Sequence, residues 1–425
     1  MAEHNKHRVG RRGVLRIAGG VAAAGAVGGL AVSLGGRDSA DAAQSGAVAG
    51  PGPRPAAAKR EFAHPGMLHN PGDLHRAEVR VAAGRDPWLA GWRRLTANRH
   101  SASTWKPNPR ATIVRGGAGQ NYGVLYNDVH AAYQNALRWK IAGTRDNAGA
   151  AVAILNAWSA ELTAVTGNSD RFLASGIYGY QFANAAELVR DHPGFDLARF
   201  QKMMRTVFHP LNEDFLKRHN GAVITNYWAN WDLCNVASIM AIGILCDDTA
   251  LFDRAVTYFR TGPGNGSIKN ATPFVYEDEG LAQWQESGRD QGHTVMGMGL
   301  IGAICEMAWN QGVDLYGYDG NRLMKGAEYV ARYNLGGDVP FTRYSWRNGT
   351  RGAHQQQTVI SDIGRGQIRP VWELLHNHYA RRRRLSVPHI SAMAEKVRAE
   401  GGGGDYGPNS GGFDQLGFGT LLYSK

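Results

Sequence analysis

Four ionisable side chains share one helical spacing late in the chain. In residues 283–293, reading QWQESGRDQGH, Glu286, Arg289, Asp290 and His293 lie three, four and seven positions apart, a spacing that puts side chains on one face of a helix. The stripe turns apolar at Met296, Gly297 and Leu300, which predicts a polar cluster at one end of an inward-facing helix. Ionisable groups in such a place are costly unless they are paired or used. Glu286 can hold Arg289 as an ion pair, which leaves His293 to exchange a proton. Gln283 and Gln285 stand just before them with amides for a polar ligand. The plainer alternative is a buried ion-pair network that holds two helices together.

A second cluster, TNYWANWD at 225–232, mixes amides with rings. On a helix, Asn226 and Asn230 would share one face and Trp228 and Trp231 another. Amides bond carboxylates, and rings such as those of Tyr227 and Trp228 stack on pyranose faces, so the mixture suits a sugar cleft. Packing in the core is the alternative, above all for Trp231. Gln181 and Asn184, within YGYQFAN at 178–184, are further cleft candidates. These groups fit β-elimination at a 4-linked uronic acid. That reaction needs donors to neutralise the carboxylate, a base for the C5 proton and an acid for the departing O4. It requires no cofactor and no metal, and is compatible with a structural or carboxylate-bridging divalent cation. Hydrolysis would instead need two carboxylates at a set separation, with Glu286 partnered by Asp290, Asp232 or Glu279. A non-catalytic protein that binds acidic glycans is the third reading.

The chain that must position these groups has 425 residues, 43% of them hydrophobic and 20% charged, a globular composition. Its beginning is of a different kind. GRRGVLR at 10–16 is a twin-arginine pattern, followed by a Gly- and Ala-rich apolar run at 17–34 and a small-x-small site at Ala40-Asp41-Ala42. Residues 1–42 therefore read as a signal peptide for twin-arginine export to a secreted or periplasmic location, and 43–60 as a flexible spacer. So many glycines weaken the alternative of a membrane anchor, and no stable membrane insertion is expected after cleavage. Loss of 1–42 lowers the formal charge from +11 to +8. Such a surplus draws in polyanions; the expected partner is an acidic polysaccharide, not nucleic acid. The three cysteines, Cys234, Cys246 and Cys305, are too few for a disulfide framework. On one helix Cys234 and Cys246 would stand ~18 Å apart along the axis, too far to bridge, so free thiols are expected.

From about residue 70 to 335 the pattern repeats as helix, short polar turn, helix. Residues 128–142 and 148–162 flank Gly143-Thr144-Arg145-Asp146, residues 237–245 and 250–259 flank Cys246-Asp247-Asp248-Thr249, and 299–309 leads through QGVDLYGYDG to 321–333. Antiparallel pairs repeated in this way predict an all-α fold, an α/α toroid built as an incomplete barrel of helical hairpins, in a single domain at 61–425. Beyond 336 come an extended segment at 338–346, a helix at 370–383 and a loop-rich end at 401–419. The run Arg381-Arg382-Arg383-Arg384 reads as a solvated helix end.

Five strings carry a resemblance to a known family: HNPGDL (69–74), FANAAEL (182–188), TNYWANWDL (225–233), ESGRDQGH (286–293) and GGFDQLGFGTL (411–421). Through them residues 65–423 resemble the alginate lyase superfamily, in particular polysaccharide lyases acting on alginate or polyglucuronate. The resemblance implies an α/α toroid, uronide β-elimination to 4,5-unsaturated products, a neutralising Asn, an Arg and a His/Tyr acid–base pair. Glu286 and Arg289 match the family's Glu-x-x-Arg. Two positions depart from its mannuronate-specific branch. Met296 stands where a tyrosine follows the arginine by seven residues, and Thr225-Asn226 precedes Tyr227-Trp228 where that branch has a histidine. The implied catalytic group is then His293 as base or acid, Tyr344 as its partner, Asn226 as carboxylate neutraliser, and Arg289 with Glu286. Arg343, Arg365 and His378 are reserves for substrate binding, and the departures shift the expected substrate toward glucuronan or mixed alginate.

Overall fold

Capping side chains and breakers set several helix boundaries. The computed structural model describes residues 60–406 and 413–425; the expected signal peptide, and the spacer short of Arg60, lie outside them. Asn70 caps α1 (Pro71–Ala82) by accepting from the Asp73 amide, with Pro71 in the first turn, where its missing N–H has no helical partner to lose. After α2 (Trp88–Ala97), α3 (Gly123–Ala142) is parted from α4 (Arg145–Glu161) by left-handed Gly143, a conformation that glycine adopts freely. Next come α5 (Arg171–Leu188), α6 (Leu197–Met203), α7 (His209–Arg218), α8 (Ala229–Leu245) and α9 (Thr249–Thr261), the last capped by Asp248. A one-turn α10 (Ile268–Ala271) precedes α11 (Gln291–Asn310) and α12 (Tyr318–Asn334). Three further helices, α13 (Trp372–His376), α14 (Pro388–Val397) and α15 (Gly419–Tyr423), end the chain.

Among the described residues, strands occur only as two-stranded ribbons. β1 (Thr112–Arg115) runs parallel to β2 (Ala164–Gly167). β3 (Phe274–Tyr276) is antiparallel to β4 (Leu281–Gln283), and β5 (Tyr344–Asn348) to β6 (Ala353–Gln357).

α3, α5, α8 and α11 are buried along most of their length, and α3 packs on α5, α5 on α8, and α8 on α11. α4 covers α3 and α9 covers α8. The architecture is the α/α toroid that the hairpin periodicity predicts, an inner ring with outer helices returning the chain. Two glycines set the closeness of the ring. Gly176 on α5 abuts Cys234 and Asn235 of α8, and Gly179 abuts Ser238; a Cβ at either glycine would come within 2.5 and 2.2 Å of those side chains. Contacts that advance by three residues on both helices mean that α5 and α8 run parallel, so their N-termini share one rim. All three cysteines are free. No helix among the described residues is long and apolar enough to cross a membrane.

The end of the chain differs from expectation. The helix expected at 370–383 is the short α13 followed by a wider helical turn, Asn377–Arg382, and pairing in the extended segment begins only at Tyr344. Arg382 is no solvated helix end. Its guanidinium grips both oxygens of buried Glu306 at 2.9 and 3.1 Å, because a carboxylate inside α11 needs a cation.

Burial holds three histidines far below their ordinary range: His69 at about 4, His130 at about 3 and His378 at about 2. An unfolded chain protonates its histidines near pH 6.5. Below that pH the unfolded state binds protons that the folded state takes up only at those lower values. Stability is therefore fully present above about pH 6.5 and falls on acidification by about 1.4 kcal/mol per pH unit for each such histidine. Denaturant melts at neutral and mildly acidic pH should show the loss, and His378→Gln should reduce the slope by one histidine's share. In the same melts Gly179→Val, by forcing α5 away from α8, should cost about 1–3 kcal/mol; no change would mean that the ring tolerates a wider spacing.

Candidate active site

Residues 285–293 are not one helix. Gln285–Arg289 form turns, Asp290 takes an extended conformation as the cap of α11, and the helix starts at Gln291. Glu286 and Arg289 therefore meet across a turn, closed by the Arg289 amide on the Glu286 carbonyl at 2.8 Å. Gly288 is required there, since a Cβ would run into the Gln357 side chain on β6. The ion pair forms nonetheless, with Arg289 Nη1 donating to Glu286 Oε2 at 2.9 Å. Glu286 is fully buried, and its Oε1 accepts from the Asn230 amide at 3.0 Å; Gln285 Oε1 accepts from the Ala229 amide at 3.1 Å. These are the first N–H groups of α8, which have no partner inside the helix. Burial pushes the Glu286 carboxyl above its ordinary range against the pull of Arg289.

Asp290 accepts from both the amide and the Nδ1 of His293 at 2.8 Å. Burial works to raise its pKa, but those bonds and the charge of Arg289 hold the carboxyl below its usual value. At the other ring nitrogen, Arg289 Nη2 stands 3.1 Å from Nε2. A guanidinium only donates, so Nε2 accepts and Nδ1 carries the proton. In this arrangement His293 is neutral, with a lone pair on Nε2. Arg289 also lies over the Trp228 ring at 5.3 Å. Trp228 packs on Trp346 at 5.0 Å, and Trp346 stacks on Tyr344 at 5.6 Å. Gln285 Nε2 donates to the Tyr344 hydroxyl at 3.1 Å, and burial pushes that phenol above its ordinary value. Asn226 accepts from the Gly349 amide, in the β5–β6 turn, through Oδ1. Its Nδ2 bonds no protein group among the described residues. The structure thus gathers Asn226, Trp228, Arg289, Asp290, His293 and Tyr344 around the N-terminus of α8. Trp346 belongs with them and was not anticipated; its signal was the alternation of rings at Tyr344 and Trp346 on one strand face.

Other expected residues serve the scaffold. Glu286, placed in the catalytic group by resemblance, has no exposed atom for a substrate and acts by fixing Arg289. Asn226 precedes α8, so it shares no helix face with Asn230, which is buried with Nδ2 toward the Met296 sulfur at 3.6 Å. Tyr227 packs on Phe215 and Trp231, and its hydroxyl accepts from Asn220. Gln283 accepts from the Tyr276 hydroxyl and the Thr342 amide, each at 2.7 Å, and so anchors the approach to Tyr344. Gln181 donates to the Phe413 carbonyl at 2.8 Å and Asn184 accepts from the Leu68 amide at 3.0 Å. Each pins a terminal segment to the inner ring. Arg365 donates to the Tyr333 and Gly337 carbonyls at the end of α12. Arg343 is exposed next to Tyr344. His378 is buried against Tyr316 and Trp309. Trp309 is at the far end of α11, roughly 24 Å along the axis from His293.

The carboxylates expected to pair for hydrolysis are each engaged within the protein. Both oxygens of Glu286 are engaged, and Asp290 holds His293. Asp232 is buried against His219, Tyr258 and the Gly266 amide, and Glu279 pairs with Arg332 at the surface. No group of three or more His, Cys, Asp or Glu side chains among the described residues is placed to hold a metal ion.

Comparison with known proteins bears on the fold and the family. The alginate lyase of Bacteroides ovatus shares 12% identity over 85% of this chain and 100% of its own, with a TM-score of 0.56. Alginate lyase A1-III from Sphingomonas species A1 shares 15% identity over 84% of this chain and 97% of its own, with a TM-score of 0.53. A histidine-to-alanine variant of alginate lyase A1-III, complexed with tetrasaccharide, gives 14% identity, the same coverage and a TM-score of 0.53. At such identities the likeness establishes the fold. A search of curated protein sequences finds no significant match. The alginate lyase family model matches residues 103–340, more than half of the chain. This stretch holds the inner helices α3, α5, α8 and α11 together with Asn226, Arg289 and His293, and by it the chain belongs to the alginate lyase family of polysaccharide lyases.

Proposed function

We propose that the enzyme cleaves 1,4-linked uronic-acid polymers, alginate or glucuronan, by β-elimination. The observation that carries this reading is the contact of Arg289 with His293 Nε2, beside the Tyr344 hydroxyl and the Asn226 amide. A uronate carboxylate held by Arg289 and Asn226 Nδ2 has its charge offset, which makes the C5 proton more acidic. The same carboxylate competes for Arg289 and frees the lone pair of His293. His293 then takes the C5 proton, the released electron pair forms C4=C5, the C4–O4 bond breaks, and O4 leaves with the proton of Tyr344. Asp290 stabilises the imidazolium formed in this step. Trp228 and Trp346 offer faces for sugar rings.

Met296, where the mannuronate-specific branch has a tyrosine, is buried and touches Asn230. A proton donor taken instead from Tyr344 favours glucuronan or mixed alginate over strictly mannuronate substrates. Every step is assigned to a side chain, with no cofactor. Export by the twin-arginine route, with residues 1–42 removed, would deliver the enzyme to its polymeric substrate.

Incubation with uronans should raise ultraviolet absorbance as C4=C5 forms, and comparing glucuronan, polymannuronate and polyguluronate ranks the substrates. New reducing ends without absorbance would indicate hydrolysis and sink the proposal. His293→Ala and Tyr344→Phe should each lower kcat by ~100-fold or more in folded protein. Glu286→Gln abolishing turnover while His293→Ala spares it would overturn the assignment. Tyr344 acts while protonated and its pKa is raised, so activity should persist through neutral pH and decline only above about 10, the ordinary phenol value.

A further inference from the structure

Arg115 ends β1, and its pairing with Gly167 on β2 brings it to the N-terminal end of α5, on the rim shared with α8. The guanidinium is clamped. Nη1 donates to the Tyr178 hydroxyl at 3.3 Å, and Cζ lies 5.0 Å from the centre of the Tyr122 ring and 5.7 Å from that of Tyr178. Those two rings are nearly parallel, 16° apart. Tyr126 packs edge-on against Tyr122 and stacks on Phe413 at 3.8 Å. What the clamp lacks is an acid. Arg115 forms no ion pair among the described residues, and the carboxylate that acts on it most, Asp414, is bound to Arg369 at 3.0 Å. Its Nε and Nη2 bond no protein group among the described residues. A partly buried cation with half of its fork unused is poorly explained as a brace, since a brace is stabilised by pairing.

We propose that Arg115, with Tyr122, Tyr126 and Tyr178, forms a second uronate subsite that binds the carboxylate of a sugar a few units from the bond being cleaved. The planar guanidinium matches a carboxylate through two parallel hydrogen bonds; buried Tyr178 holds it in place, and the partly exposed Tyr122 and Tyr126 present aromatic surface to a sugar ring. Because the clamp is formed in advance, little side-chain freedom is lost on binding. α8 stands between α5 and α11, so up to two helix spacings of 8–10 Å, roughly 16–20 Å, separate the helix beside Arg115 from the helix of His293. A short oligosaccharide seated at His293 does not reach that far; a longer chain does. The subsite therefore makes turnover depend on chain length. This inference rests on the uronan-lyase reading.

The test is a comparison of wild type, Arg115→Ala and Arg115→Lys on uronan oligosaccharides of graded length, with thermal melts as the fold control. For long oligosaccharides, Arg115→Ala should raise KM by roughly tenfold or more, the scale of one charge-assisted hydrogen bond. The rise should shrink as the substrate shortens, and Arg115→Lys, which keeps the charge without the fork, should recover part of it. Carboxyl-reduced oligosaccharides, which β-elimination cannot cleave, should bind wild type and variants equally in calorimetric titration. An unchanged KM at every length, or a kcat loss independent of length, would overturn the proposal and return Arg115 to a bracing role. If Arg115→Ala does not fold, the length dependence of Arg115→Lys decides. Wild type that makes no unsaturated product from any uronan sinks the lyase reading instead. Calorimetric titration of wild type and Arg115→Lys with a long oligouronate then tests the subsite separately.

Discussion

The carboxylate of Glu286 joins the free end of α8 to Arg289, and the rest of the site is arranged around that bond. An unpaired carboxylate at full burial would cost several kcal/mol. Here it accepts from the Asn230 amide and from Arg289, and the helix N-terminus adds a favourable dipole. Arg289 is thereby fixed against Trp228 on one side and His293 on the other. The neighbouring Gln285 works in parallel, with its oxygen on the Ala229 amide and its nitrogen on the Tyr344 hydroxyl. Two consecutive residues thus tie the same helix end to two groups of the proposed reaction.

That arrangement depends on the inner ring. Gly176 and Gly179 let α5 lie against α8 with only the short Cys234 and Ser238 side chains at the contact, which keeps the ring tight and its N-termini on one rim. Helix N-termini carry partial positive charge and unpaired N–H groups. A rim built from several of them, on a chain of net positive charge, is suited to a polyanion. The terminal segments are held to the ring by Gln181 and Asn184, whose polar atoms face inward for that reason.

Histidine provides the clearest case of environment selecting function. His69, His130 and His378 are enclosed, and burial holds them neutral well below the physiological range. His293 sits at the rim with its side chain 24% exposed, oriented by Asp290 through Nδ1. Its Nε2 faces Arg289, a group that a substrate carboxylate can draw away. The same side chain fills the interior in those three places and is the proposed proton acceptor at the rim.

Periodicity and motif strings in the sequence were enough to establish the helical-hairpin toroid and the Glu286–Arg289 pair, and to single out ESGRDQGH and TNYWANWD, which the fold brings together as the candidate site. These are local properties, set by hydrophobic spacing and by neighbours three or four residues apart. Tertiary structure alone decided which polar residues are committed to the scaffold. Gln181, Asn184, Gln283 and Asn230 have the composition of ligands, yet each is buried and bonded to backbone or scaffold, because the ring closes over them. Tertiary structure also brought Tyr344 and Trp346 to Trp228 from more than a hundred residues away, and placed His378 at the opposite end of α11. A polar side chain in a periodic helix has the same local signature whether it meets solvent, substrate or another strand of the chain. Only the folded contacts distinguish them, since they determine which hydrogen-bonding groups are already satisfied within the protein.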